Sequence, residues 1–152
     1  MKLVRKLALM ALIGWMGSAI AAEVGVTDTS ITLGMSSPFS GPNGAYGQDM
    51  KNVITAYIDQ INKSGGINGR KIDLIALDDG YETDRTVANS KKLIDESKVF
   101  ALLQYYGSSP TTQAMNDVFG PAKVPLVGTI SGTGTIRQSP KDNPNNKYMF
   151  NI

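Results

Sequence analysis

The sequence contains no cysteine and no histidine. Disulfides, thiol nucleophiles, Ser-His triads and imidazole metal ligands are thereby excluded, and enzyme readings start with few candidate groups. An excess of one charge is also missing. The formal net charge is +2, but Lys2, Arg5 and Lys6 sit in what reads as a leader, and removing them leaves twelve basic against thirteen acidic residues. Nothing in that balance points to nucleic acid. Phosphate-binding loops are lacking as well: no G-x-G-x-x-G opens a helix after the first strand, and there is no G-x-x-x-x-G-K-[ST]. Gly132-Thr133-Gly134 is only a lone, weak match. Finally, no apolar run reaches the roughly 18 residues of a membrane span, because the stretch from Leu7 to Ala22 falls short and is broken by Gly14, Gly17 and Ser18.

What is present begins with an address. A basic start, an apolar run from Leu7 to Met16 and the small-residue exit Ala19-Ile20-Ala21 form a secretory signal peptide over residues 1–21. With no cysteine to carry a lipid, the mature chain is expected to be released as a soluble species, which for a bacterial chain means the periplasm. The 131 residues that remain suffice for one domain with its own core.

From Ser30 the pattern alternates between two periods. Ile31 to Met35 reads as a strand, followed by a loop from Ser36 to Ala45 with Pro38, Gly41, Pro42 and Gly44 as breakers. Met50, Val53, Ile54, Tyr57, Ile58 and Ile61 then mark one face of an amphipathic helix. Gly65-Gly66 end it, Asn68-Gly69 make a tight turn, and Lys71 to Leu77 form a second strand leading into Asp78-Asp79-Gly80. Thr83 is expected to cap a helix to about Ser97, with Val87 and Ile94 inward. Phe100 to Leu103 read as a strand buried on both faces. Ala114, Met115, Val118 and Phe119 mark the inner face of the next helix, and Val124 to Val127 a fourth strand. A Gly, Ser and Thr loop from Ile130 to Thr135 and one helical turn from Gly134 to Gln138 follow. Residues 139–147 are a polar connector, and Tyr148 to Ile152 start another strand. The alternation predicts an α/β fold: a doubly wound parallel sheet flanked by helices, with right-handed crossovers.

In such a sheet ligands bind outside the carboxyl ends of the strands. Three loops leave those ends with suitable chemistry: Ser36 to Tyr46, Tyr105 to Thr111 and Gly128 to Thr133. The middle one organises the chain. Ser109 falls where an N-cap is preferred and Pro110 at the first helical position. The free first-turn N–H groups, with the hydroxyls of Ser108, Ser109 and Thr111, would form a site for an anion such as a carboxylate. An ordinary capped helix after a strand carries the same signature. Tyr46, at the start of its helix, points either into packing or over the mouth of the cleft. Asp78-Asp79 read as a solvated turn capping the next helix, since paired acids in turns are common.

Five stretches carry a resemblance: GMSSPFSGPNGAYGQDMKN, INKSGGINGRKIDLIALDD, TVANSKKLID, YYGSSPTTQAM and VPLVGTISG. Together they resemble the amino-terminal lobe of type I periplasmic binding proteins, in the branched-chain amino acid (leucine/isoleucine/valine) group of ABC importers, over essentially all of residues 30–152. The resemblance implies a non-enzymatic receptor without cofactor or metal, monomeric when full length, whose two lobes close over a small ligand and hand it to an inner-membrane ABC permease. It places the ligand-contacting aromatic of the first loop at Tyr46 and the carboxylate-binding serine at Ser108, with Ser109 beside it. The segment that reads amino and carboxylate groups falls on Ile130, Ser131, Gly132 and Thr133. It divides the chain into the signal peptide, a lobe over residues 22–147 and the start of a hinge strand over residues 148–152. The chain then reads as a fragment whose second lobe is missing. Members with a disulfide in this lobe place a cysteine where this chain has Gly107.

Three function classes follow. The first is a transport receptor for an amino acid or a related small carboxylate or amide, with Tyr46 covering the ligand's apolar side. The second is a sensory or regulatory receptor of the same fold, distinguished by its partner. The third is a flavodoxin-like or response-regulator-like domain using Asp78 and Asp79 with Mg²⁺ for phosphoryl chemistry, which the signal peptide counts against.

Overall fold

The computed structural model describes residues 23–151, so the expected leader lies outside the described residues. The first strand, β1 (Ser30–Ser37), pairs in parallel along its whole length with β2 (Lys71–Asp78), from Ser30 opposite Lys71 to Ser37 opposite Asp78. Between them runs α1 (Gly44–Lys63). The turn that returns the chain to β2 has Asn68 and Gly69 both in the left-handed region, at φ +50° and +80°. That is the backbone a tight Asn-Gly turn needs.

After β2 come α2 (Thr83–Lys91), continued as a π-helical segment Lys92–Glu96, and β3 (Ala101–Tyr106). Then follow α3 (Ser108–Ala114), continued as a π-helical segment Met115–Phe119, and β4 (Leu126–Ile130). Two 3-10 turns, Thr135–Arg137 and Pro144–Tyr148, lead to β5 (Met149–Phe150). The sheet order is β2-β1-β3-β4-β5 with every pairing parallel. The order reverses between β1 and β3, so the switch point lies there. Right-handed crossovers put α1 on one face and α2 and α3 on the other, where those two helices pack on each other.

The core lies on the α2 and α3 side. Leu93, Leu102, Tyr105, Met115, Phe119 and Leu126 have no exposed surface there. On the other face α1 buries less than its pattern promises. Ile58 is buried and Met50, Ile54 and Ile61 are half-buried, but Val53 and Tyr57 are 70% and 64% exposed. Only a narrow stripe of α1 meets the sheet edge, and Gly44 and Gly47 share it. A Cβ on Gly47 would lie 1.7 Å from the Pro38 carbonyl oxygen, so the helix start is held against its own entering loop.

Several boundaries differ from the expected ones, each for a local reason. Thr83 is the first helical residue rather than the cap; Glu82, with extended backbone, takes the N-cap position without a side-chain hydrogen bond. The third helix begins two residues earlier than expected, with Gly107 at the N-cap (φ +99°). Pro110 is therefore third in the helix, still within the turn whose N–H groups need no partner. The fourth strand sits later, at Leu126–Ile130, because Val124 N–H is taken by the Phe119 carbonyl as the π-helical segment closes.

The third strand is longer than its apolar run and carries a kink. Leu102 and Tyr105 both face the core, three positions apart, whereas regular strand alternation places residues two apart on one face. Gln104 lies between them in the left-handed region (φ +46°), beside Gly128 of β4 at φ +65°. The ladder records the same step, pairing Leu103 with Val127 and then Tyr105 with Thr129. Ser37 Oγ donates to the Gln104 carbonyl at 2.7 Å, tying β1 to the kink where the β1–β3 ladder has already stopped at Gly34 and Leu102. The kink turns Tyr105 inward and leaves Tyr106 at the carboxyl end of the sheet.

Candidate functional site

The carboxyl ends of β1 and β2 are locked together by the acidic pair. Asp79 has no exposed surface; its Oδ2 accepts from Ser36 Oγ at 2.8 Å and its Oδ1 from Tyr81 N–H at 2.9 Å. Burial pushes its pKa up, and the Asp78 charge adds to that rise against the opposing hydrogen bonds of Tyr81, Ser36 and Thr86. Asp78 accepts from the N–H groups of Phe39 and Gly80 at 2.7 and 3.0 Å, from Ser40 Oγ at 2.6 Å and from Arg85 Nη2 at 3.0 Å. Burial opposes its ionisation too, but Ser40, Phe39, Gly80 and Arg85 outweigh it and hold the carboxyl well below the usual range. The solvated capping turn expected here is therefore a clasp, buried at Asp79 and half-buried at Asp78, that fixes the loops after β1 and β2. A magnesium site on this pair finds its oxygens already engaged, and among the described residues no group of three or more Asp or Glu side chains gathers as metal ligands.

Beside the clasp, a cleft of about 460 Å³ opens at the ends of β3 and β4, lined by Tyr81, Tyr106, Gly107, Ser108, Thr129, Ile130, Ser131 and Gly132. Ser108, at the start of α3, and Ser131, just past β4, approach to 3.1 Å between their Oγ atoms. Their chain separation is 23 residues, so only the sheet order brings them together. The loop after β4 is held by its own hydroxyls: Thr133 N–H donates to Ser131 Oγ at 3.2 Å and Thr135 N–H to Thr133 Oγ1 at 3.3 Å. Arg137 Nη1 then donates to the carbonyls of Ser131 and Thr133, both at 3.0 Å. No side chain caps α3, which leaves its first-turn N–H groups without side-chain partners beside these hydroxyls. Hydroxyls and N–H groups that converge in this way can donate to an anionic or carbonyl oxygen.

The expected site residues divide among several places. Ser108, Ile130, Ser131 and Gly132 line the cleft. Ser109 and Thr133 line a neighbouring hollow of about 300 Å³ on the other side of Ser108, with Thr83, Thr112, Gln113 and Thr135. Thr111 is not brought to either: it has no exposed surface, because its helical spacing puts it on the buried face with Ala114, Met115 and Val118. Tyr46 stacks on Tyr106, centroids 6.0 Å apart and planes 15° from parallel. It is 62% exposed and stands behind Tyr106 rather than lining the cleft.

Tyr81 lines the cleft from outside the three expected loops, Tyr106 and Thr129 lie within those loops without having been singled out, and Arg137, also not singled out, holds the loop after β4. Tyr106 packs edge-on against Tyr81 at 5.6 Å and 62°. A Cβ on Gly107 would fall 2.5 Å from Tyr81 Cε2, so the Tyr81 ring occupies the space beside the position where the resemblance implies a disulfide in other members. The available signal was the tyrosine after Asp78-Asp79-Gly80 on the same sheet edge. Which of Tyr105 and Tyr106 faces the cleft had no sequence signal, since the Gln104 kink decides it.

Comparison with known proteins places the chain in a family. A family model described as periplasmic binding protein matches residues 30–152. An amino acid binding protein of Pseudomonas aeruginosa is 31% identical over 104 residues, 66% of this chain and 28% of the relative. A leucine-, isoleucine-, valine-, threonine- and alanine-binding protein from the same species is 29% identical over 118 residues, 78% of this chain and 30% of the relative. Among solved structures, a possible leucine/isoleucine/valine-binding protein from Rhodopirellula baltica superposes with a TM-score of 0.68 at 32% identity, over 77% of this chain and 31% of its own. The substrate-binding protein of a branched-chain amino acid transporter from Streptococcus pneumoniae, solved with isoleucine, gives 0.71 at 26% identity, over 81% and 33%. The chain thus spans 28% to 33% of the length of these relatives. With the family model covering the sheet, the clasp and the cleft, the chain belongs to the type I periplasmic binding proteins, in their branched-chain amino acid group.

Proposed function

We propose that the chain supplies the ligand-binding surface of one lobe of an extracytoplasmic solute receptor. Its ligand is an amino acid of the branched-chain type or a related small carboxylate or amide, delivered to an inner-membrane ABC permease. The observation that carries this reading is the approach of the Ser108 and Ser131 hydroxyls beside the uncapped start of α3, where a carboxylate would receive several donors. The relatives named for binding amino acids support the ligand class. In this reading residues 1–21 are a cleaved leader, residues 22–147 form the lobe and residues 148–152 begin a crossing towards a second lobe. The greater length of the relatives supports that second lobe. No helix among the described residues is long and apolar enough to cross a membrane.

A single lobe cannot enclose its ligand, whereas pockets normally bury most of a small ligand's surface. Millimolar ligand is therefore the proper range for a test on this chain. A thermal-shift screen against amino acids, small carboxylates and amides should show one chemical class raising the melting temperature. A ligand at ~100 times its Kd would add about 2.7 kcal/mol to the folded state. An equal response to amines that lack the carboxylate would overturn the reading.

A further inference from the structure

The walls of the cleft are aromatic to a degree that the hydroxyl pair does not explain. Tyr81 holds a left-handed backbone, φ +71°, which a bulky residue rarely adopts. It is kept there by the buried Asp79 carboxylate on its N–H and by the missing side chain of Gly107, whose Cβ would collide with the ring. Three features of the fold, a buried acid, a strained turn and a glycine, thus converge on the position of one ring, and strain of this kind gathers at ligand sites. That ring meets Tyr106 edge-on at 62°, and Tyr106 is backed by Tyr46. Both Tyr81 and Tyr106 line the cleft, so a planar ligand there meets aromatic surface, which favours another ring. Ile130 is the only aliphatic side chain of any size on the lining, and no charged side chain lies on it.

We propose that Tyr81 is a specificity-determining residue and that, with Tyr106, it makes the cleft prefer a flat aromatic carboxylate to a branched aliphatic amino acid. This rests on the carboxylate-receptor reading above and changes only the class of the ligand's side chain. The acid group meets Ser108 and Ser131 while the ring lies against Tyr81 and Tyr106.

The test is saturation-transfer NMR on the full chain with benzoate, phenylacetate, L-leucine and L-isoleucine. The aromatic acids should bind about fivefold to tenfold more tightly, the scale of one or two aromatic contacts. Tyr81→Ala should bring that ratio close to one, and Tyr81→Phe, which keeps the ring, should retain it. Tighter binding of leucine than benzoate, or a ratio unchanged in Tyr81→Ala, overturns the aromatic preference and leaves the carboxylate receptor standing. Silence from all four ligands overturns both.

Discussion

Ser108 and Asp79 show how far a single side chain can be held to account. Ser108 Oγ has one protein partner, Ser131 Oγ, so Ser108→Ala should weaken a carboxylate ligand by about 1–3 kcal/mol, the cost of leaving a charged acceptor short of a donor. Titration calorimetry on both proteins measures it, and an unchanged affinity would remove Ser108 from the site. Asp79 is expected to act through pH. Its folded pKa is raised by burial, so as pH climbs past the ordinary carboxylate value the unfolded chain ionises first and the folded state loses stability until its own pKa is passed. Asp79→Asn lacks that loss. Relative to the parent, the variant should therefore gain stability as the pH rises above the ordinary carboxylate range, read from urea midpoints in acid and at neutral pH. Asp78 shifts the opposite way and keeps its own partners in both proteins, while its charge on Asp79 is part of the rise that the variant removes.

At the level of elements, β2 is one of the two edge strands of the sheet, β5 being the other, and α1 guards the β2 edge. The Asn62 side chain donates to the Ile72 carbonyl at 2.9 Å and accepts from the Ile72 N–H at 2.8 Å, imitating the strand that would otherwise add there. Asn62→Ala should cost about 1–3 kcal/mol, since both backbone groups are only partly solvated. It should also raise concentration-dependent light scattering; a urea midpoint unchanged from the parent would show that the guard is dispensable. The helix over residues 44–63 was legible because its apolar period is long and unbroken. The exposure of Val53 and Tyr57 was not, because a period reports a face without reporting how much of it the neighbouring layer covers. The strand at 101–106 was half legible for a similar reason: its apolar run is visible, but the left-handed Gln104 that re-aims its last two residues leaves no mark in the sequence.

For the whole molecule, burial is lopsided. The face of the sheet under α2 and α3 holds the core, while on the opposite face Val127 and Phe150, cross-strand partners on β4 and β5, stand exposed beside half-buried Leu103. An apolar row of this kind promotes association. Val127→Thr combined with Phe150→Thr keeps residues suited to strands and should lower self-association in sedimentation velocity. Persistence of the same oligomers would place the sticky surface elsewhere, for instance on the exposed Val53 and Tyr57 of α1.

The sequence carried the alternation of strands and helices, the parallel sheet and the three loops that reach its carboxyl edge, because hydrophobic period and breaker residues are local properties. It also carried the placing of Ser108 and Ser131 just past β3 and β4, where any sheet of this topology must bring them to one edge. The tertiary structure alone decided that Asp79 is buried and that Asp78 and Asp79 together clasp two loops, and that Tyr106 and Tyr81 wall the cleft. Each of these depends on contacts between segments tens of residues apart and on backbone angles at Gln104, Tyr81 and Gly107. Those angles are settled by packing and hydrogen bonds across the sheet, which no local pattern encodes.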